Sequence, residues 1–119
     1  MTSFSGKCVV VTGGSRGIGE AIARWFAHEG ASVVVSGTSA RAAEVASAIV
    51  GAGGNAIGVR GDVTDPAHVA EIYDTAVKAF GGVDVSVQNA GVITIAKLED
   101  LTMSDWERVI AVNTPAAFA

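Results

Sequence analysis

Apolar residues along this chain fall into short β-branched runs, and behind each run the spacing changes from continuous to helical. Cys8–Thr12 is one such run, as expected of a strand buried on both faces. The next stretch, residues 17–29, carries Ile18, Ile22, Trp25 and Phe26 on one helical stripe, and Gly30 closes it. Residues 32–36 repeat the buried run with Val33, Val34 and Val35. Residues 40–50 are alanine-rich, with Val45 and Ile49 on one face, and Gly51, Gly53 and Gly54 stop that helix. A third strand over Asn55–Arg60 runs into Gly61-Asp62-Val63. Thr64 or Asp65 then caps a third helix, with Pro66 at its first position, where a missing N–H costs nothing. Its stripe is Val69, Ile72, Tyr73, Ala76 and Phe80, and Gly81-Gly82 ends it. A fourth strand spans residues 83–88 and leads into Asn89-Ala90-Gly91. Residues 102–105 have the pattern of a helix cap, ahead of Trp106, Val109, Ile110 and Val112.

Strand and helix alternating with short links predict an α/β fold, a doubly wound parallel sheet with right-handed crossovers. The expected strand order is 3-2-1-4. Ligands in such sheets bind at the carboxyl ends of the strands, near the point where the order reverses. The glycine-rich turn after the first strand, Gly37-Thr38, Asp62-Val63 and Asn89-Ala90-Gly91 all fall on that rim. Four loops converging there predict one continuous site.

Length and composition set the frame. The 119 residues suit a single domain, 1–119, and half of them are hydrophobic, which excludes a disordered chain. The formal charge is -4 and the basic residues are scattered, so nucleic acid is not an expected partner. No apolar run reaches the ~20 residues that span a bilayer, and the start of the chain lacks a signal-peptide pattern, so no membrane association and a soluble, cytoplasmic protein are expected. The one cysteine, Cys8, reads as a small buried hydrophobe. His28 and His68 are lone histidines near helix ends and read as solvated. No metal-ligand set, carboxylate dyad or nucleophile with its base is present. A flavodoxin-like or phosphoacceptor domain would share the sheet, but the chain has no acidic cluster after its first strand.

The turn Gly13-Gly14-Ser15-Arg16-Gly17-Ile18-Gly19 is the sharpest chemical signal. It places unpaired N–H groups and the positive end of a helix dipole where a pyrophosphate can sit. Gly13 lets the chain leave the strand, Gly17 removes a side chain where a phosphate approaches, and Gly19 lets the helix lie close to the strand. The spacing is Gly-x-x-x-Gly-x-Gly, not the commoner Gly-x-Gly-x-x-Gly.

Thr12 through Gly19, then Asp62-Val63, then Asn89-Ala90-Gly91, then Asn113, in that order, resemble the short-chain dehydrogenases/reductases. These are Rossmann-fold oxidoreductases that use NAD(H) or NADP(H), and the turn is similar to that of their 3-oxoacyl-acyl-carrier-protein reductase branch. The resemblance implies that Gly13, Ser15, Arg16, Gly17, Ile18 and Gly19 cradle the pyrophosphate. It implies that Asp62 accepts the adenine amine, with Val63 against the ring, and that Asn89, Ala90 and Gly91 line the ribose side and brace the fourth strand. Asn113 corresponds to an asparagine that places a water in the proton relay. Each residue also has a plainer reading. Asp62 alone can cap a turn before Thr64, Asn89 and Gly91 can be ordinary turn residues, and Asn113 can sit on a solvated helix face.

The second strand bears on cofactor choice. NAD sites place an acid just after it, to bind the ribose hydroxyls. Here Ser36-Gly37-Thr38-Ser39 holds no acid and puts Thr38 at that place, while Arg16 and Arg41 lie nearby. Cations without a carboxylate favour a 2′-phosphate, so NADP(H) is expected over NAD(H). The family's serine and Tyr-x-x-x-Lys helix lie downstream of the Asn113 position, and only six residues follow Asn113 here. Tyr73 with Lys78 is no substitute, because the lysine is five residues on and the tyrosine belongs to an apolar stripe. The chain therefore reads as the cofactor-binding half of a reductase, inactive alone. Its fourth strand would be an unpaired edge prone to association. The full-length form is expected to be a homo-oligomer acting on a small carbonyl or alcohol. A non-catalytic nucleotide-binding module and a subunit-interaction fragment are the alternatives.

Overall fold

The computed structural model describes residues 4–90, 102–104 and 107. Strands β1 (Cys8–Thr12), β2 (Ser32–Gly37), β3 (Asn55–Arg60) and β4 (Val85–Gln88) alternate with helices α1 (Gly17–His28), α2 (Arg41–Gly51) and α3 (Pro66–Phe80). All pairings are parallel and the order is β3-β2-β1-β4. The architecture is the Rossmann type expected from the sequence. Met103, Ser104 and Glu107 are helical, where the final helix is expected.

The buried runs are explained by what covers them. Val9, Val11, Val33 and Val35 face α1 and α2, against Ala23, Ala42, Val45 and Ile49. Cys8, Val10 and Val34 face the other way, against Ile72 and Ala76 of α3. With helices on both faces, no position in β1 can be polar and exposed, hence the unbroken apolar spelling. Asp65 caps α3, its carboxylate accepting the Ala67 N–H at 3.0 Å, and Pro66 follows at the first helical position.

Two expectations change. The fourth strand begins at Val85, two residues late. Asp84 exchanges bonds with Cys8 instead: its N–H donates to the Cys8 carbonyl at 2.9 Å, and its carboxylate accepts the Cys8 N–H at 2.8 Å. A side chain thus closes the sheet end where a backbone ladder was expected. The α1 stripe is also rotated. Gly19 and Ala23 face the sheet, while Ile18 and Trp25 stand 75% and 52% exposed. Small residues win the inward face because the helix lies too close to the sheet for larger ones. Trp25 packs edge-on against Phe4 and Phe26, with ring centroids 5.8 and 5.1 Å away.

Close packing recurs where α2 crosses β3. A Cβ at Gly58 would stand 2.6 Å from the Ala42 carbonyl oxygen and 2.8 Å from the Ala43 Cα. Gly58→Ala must push helix from strand and is expected to cost about 1–3 kcal/mol in urea unfolding of the intact protein. Gly51→Ala, with nothing within 4 Å of the added methyl, is expected to be neutral or to gain about 0.5–1 kcal/mol. Equal midpoints for the two variants would contradict this packing.

Candidate functional site

The rim at the carboxyl ends of the strands is held by hydrogen bonds between β1 and β4. Thr12 Oγ1 donates to the Val87 carbonyl at 3.3 Å and accepts the N–H groups of Asn89 and Ala90, both at 3.1 Å. The Asn89 side-chain amide donates to the Gly13 carbonyl at 3.0 Å. A Cβ at Gly19 would land on that same carbonyl. Helix α1, the turn and the end of β4 are therefore locked at one point.

Beyond the lock the turn is open. Gly17 has φ +58, and a Cβ there would meet nothing within 4 Å. The first intrahelical bond is Glu20 N–H to the Arg16 carbonyl at 3.2 Å, so the N–H groups of Gly17, Ile18 and Gly19 precede the ladder. Arg16, Gly17 and Ile18 are exposed. Ile18 has left the core stripe to stand on this rim. Ser15 does the reverse: it is buried, packed under Gly37 at the end of β2.

Charge on this rim is divided unevenly. Glu20 lies in the first turn of α1, where its negative charge would compete with an anion. Its carboxylate is taken by Arg41 at 2.6 Å and by Arg24 at 2.9 Å, which hold its pKa below the usual carboxylate range. Arg41 also lies 3.8 Å from Glu44. Arg41 was expected as a free cation beside the ribose, but these carboxylates claim it, because the starts of α1 and α2 are neighbours. Arg16 makes no such pair among the described residues. The turn therefore fits an anionic group: open at Gly17, donors first in the helix, and its one carboxylate neutralised.

The other predicted positions take definite places. Asp62 Oδ1 accepts the Thr64 N–H at 2.9 Å and the Thr64 hydroxyl at 2.8 Å, the turn-capping role of the plainer reading. Val63 beside it is half-buried, and Thr38 is exposed at the end of β2. Gly91 and Asn113 lie outside the described residues. Tyr73 packs partly against the α3-side core and its hydroxyl meets Ser86 Oγ at 2.9 Å, away from the rim. Cys8 is buried, and burial, with Asp84 adding to it, pushes its thiol pKa up, opposite to what a nucleophile needs.

One residue of the rim was misread. His68 is not solvated: it is 6% exposed, and its Nε2 lies 2.9 Å from the buried Ser36 hydroxyl. Its ring fills the space a Gly61 Cβ would need. Nδ1 is buried without a hydrogen-bond partner among the described residues, and Glu71 at 3.7 Å is too far to bond. The pair ties the end of β2 to the start of α3 beneath Asp62. The signal was available, since His68 stands one turn before Ile72 and two before Ala76 on the buried stripe.

A doubly wound parallel sheet with a glycine turn open to anions at its switch point defines a Rossmann-type nucleotide-binding architecture. A family model described as short chain dehydrogenase matches residues 7–119, and the chain belongs to that family. It is 44% identical over 117 residues to elsinochrome reductase 1 of Elsinoe fawcettii, covering 97% of this chain and 44% of that protein. A dehydrogenase/reductase from Sinorhizobium meliloti superposes with TM-score 0.91 at 44% identity, over 98% of this chain and 47% of that one. A blue fluorescent protein from a metagenomic library, solved in complex with NADPH, gives 0.88 at 36% identity, over 98% and 49%. The chain spans about half the length of the curated relatives it matches. Among the described residues, no helix is long and apolar enough to cross a membrane.

Thr12→Val should cost about 1–3 kcal/mol in urea unfolding of the intact protein, because it strips the Asn89 and Ala90 N–H groups of their acceptor. Glu20 sets a pH dependence. Its folded pKa is depressed, so its contribution is full above the ordinary carboxylate range and is lost as pH falls through the folded value. Glu20→Gln should remove that acid limb from a plot of urea midpoint against pH. An unchanged limb would show the ion pairs to be idle.

Proposed function

We propose that this chain is the cofactor-binding portion of an NADP(H)-dependent oxidoreductase that interconverts a small carbonyl compound and a secondary alcohol. The supporting observation is the glycine turn, locked by Thr12 and Asn89 yet open at Gly17, with an arginine in it that makes no ion pair among the described residues. The bound nicotinamide supplies or accepts a hydride. This chain's residues hold and orient it. The N–H groups at the start of α1 take the pyrophosphate. Asn89 keeps the Gly13 carbonyl turned into the protein, away from the phosphates. Asp62 and Val63 receive the adenine, Ala90 and Gly91 border the ribose, and Thr38 leaves the ribose 2′ position free of a carboxylate. Arg16 meets the 2′-phosphate. Asn113 orients a water for the proton relay. NADPH carried by a superposable relative supports this reading. The 3-oxoacyl-acyl-carrier-protein reductases are one branch that would use such a site, supported by the turn sequence alone.

Calorimetric titration of the intact polypeptide tests the reading. NADPH is expected to bind about tenfold or more tightly than NADH, the worth of one or two charge-assisted hydrogen bonds. Arg16→Ala should remove most of that preference and leave NADH affinity unchanged. NADH binding as tightly as NADPH would refute the NADP(H) assignment.

A further inference from the structure

We propose that Arg60 is the second cation of the 2′-phosphate site, in the place the sequence assigns to Arg41; this rests on the NADP(H) reading above. Arg60 ends β3, paired in register with Gly37, the last residue of β2. Gly58 lies against the backbone of α2, and side chains two apart share a face, so Arg60 stands on the α2 side at the rim. It is exposed, and its Nε donates to the Thr38 carbonyl at 3.3 Å. That bond anchors the guanidinium to the loop after β2. Among the described residues its Nη groups make no other hydrogen bond or ion pair.

Among the described residues, the other arginines near this rim, apart from Arg16, are engaged. Arg24 and Arg41 are held by Glu20. The first three N–H groups of α2 are taken as well. The Arg41 N–H bonds Ser39 Oγ at 3.3 Å, the Ala42 N–H bonds the Ser39 carbonyl at 3.3 Å, and the Ala43 N–H bonds the Ala40 carbonyl at 3.1 Å. The first turn of α2 therefore has no donor for an anion over Thr38, and the charge of that anion is answered by side chains. Arg16 comes from the β1 turn on one side and Arg60 from β3 on the other. A phosphate monoester carries close to two negative charges at neutral pH, and two guanidinium groups answer that charge. An unphosphorylated ribose offers neither cation a partner.

The test compares 2′,5′-ADP with 5′-AMP, which differ only by the 2′-phosphate, in calorimetric titrations of the intact polypeptide. Arg60→Gln is expected to weaken 2′,5′-ADP about tenfold and to leave 5′-AMP unchanged. Arg60→Lys keeps the charge without the fork, and should lose less. Unchanged 5′-AMP affinity also shows that the variant folds. Equal weakening of both ligands would overturn the proposal, since Arg60 would then only brace the Thr38 loop. No weakening of either would overturn it too. If Arg16→Ala still weakens 2′,5′-ADP in that case, the NADP(H) reading stands and only Arg60 is dismissed. A wild-type protein that binds the two ligands equally would remove both.

Discussion

The Gly13 carbonyl is the point on which this structure depends. It accepts the Asn89 amide at 3.0 Å and leaves no room for a side chain at Gly19. One oxygen thereby fixes three things: the exit from β1, the distance of α1 from the sheet, and the end of β4. Thr12 repeats the tie one residue earlier, through its hydroxyl. These bonds cross the switch point of the sheet, where β1 has β2 on one side and β4 on the other. A crevice at that position is a consequence of topology. What the hydrogen bonds add is rigidity, because a loose turn would lose much of its binding free energy in ordering its own N–H groups.

Electrostatics then shapes the rim. Helix α1 presents its positive end there, yet carries an acid in its first turn. The paired arginines on Glu20 resolve that conflict locally. Exposed ion pairs of this kind add only modestly to stability, the contribution that the acid limb reads. Their value here is positional: they cancel a negative charge beside the anion site and they occupy Arg41. Among the described residues of this rim, Arg16 and Arg60 make no ion pair, and in the proposed site they are the cations that answer the ligand.

Most of the fold could be read from the sequence because burial on both faces leaves so few ways to write β1 and β2. The strand order followed from alternation and short links. The misses have physical causes. A periodicity stripe counts apolar residues, but α1 buries glycine and alanine and exposes Ile18 and Trp25. Close approach, not hydrophobicity, sets that face. His68 carries a polar name on a buried stripe, so composition hid what spacing revealed. Arg41 lies close to Thr38 along the chain, but its partner Glu20 comes from another helix, which spacing does not reveal. Arg60 lies 22 residues from Thr38 along the chain, and only the β2–β3 register brings the two together.

That register has a consequence for how the family's chemistry can be divided along a chain. Arg16, Thr38 and Arg60 lie within the strands and turns of β1 to β3, all before residue 61. In the proposed function, Asn113 and the positions that the family places after it would act at the other end of the dinucleotide. A charge placed beside Thr38 changes affinity through the 2′-phosphate alone, and it makes the same contact in ground and transition states. Uniform binding of this sort alters how much cofactor is held and leaves the reacting centre untouched. Choice between NADP(H) and NAD(H) is therefore physically separable from catalysis. On the proposed reading, the geometry of the first three strands sets that choice, whatever substrate the remainder of the site accommodates.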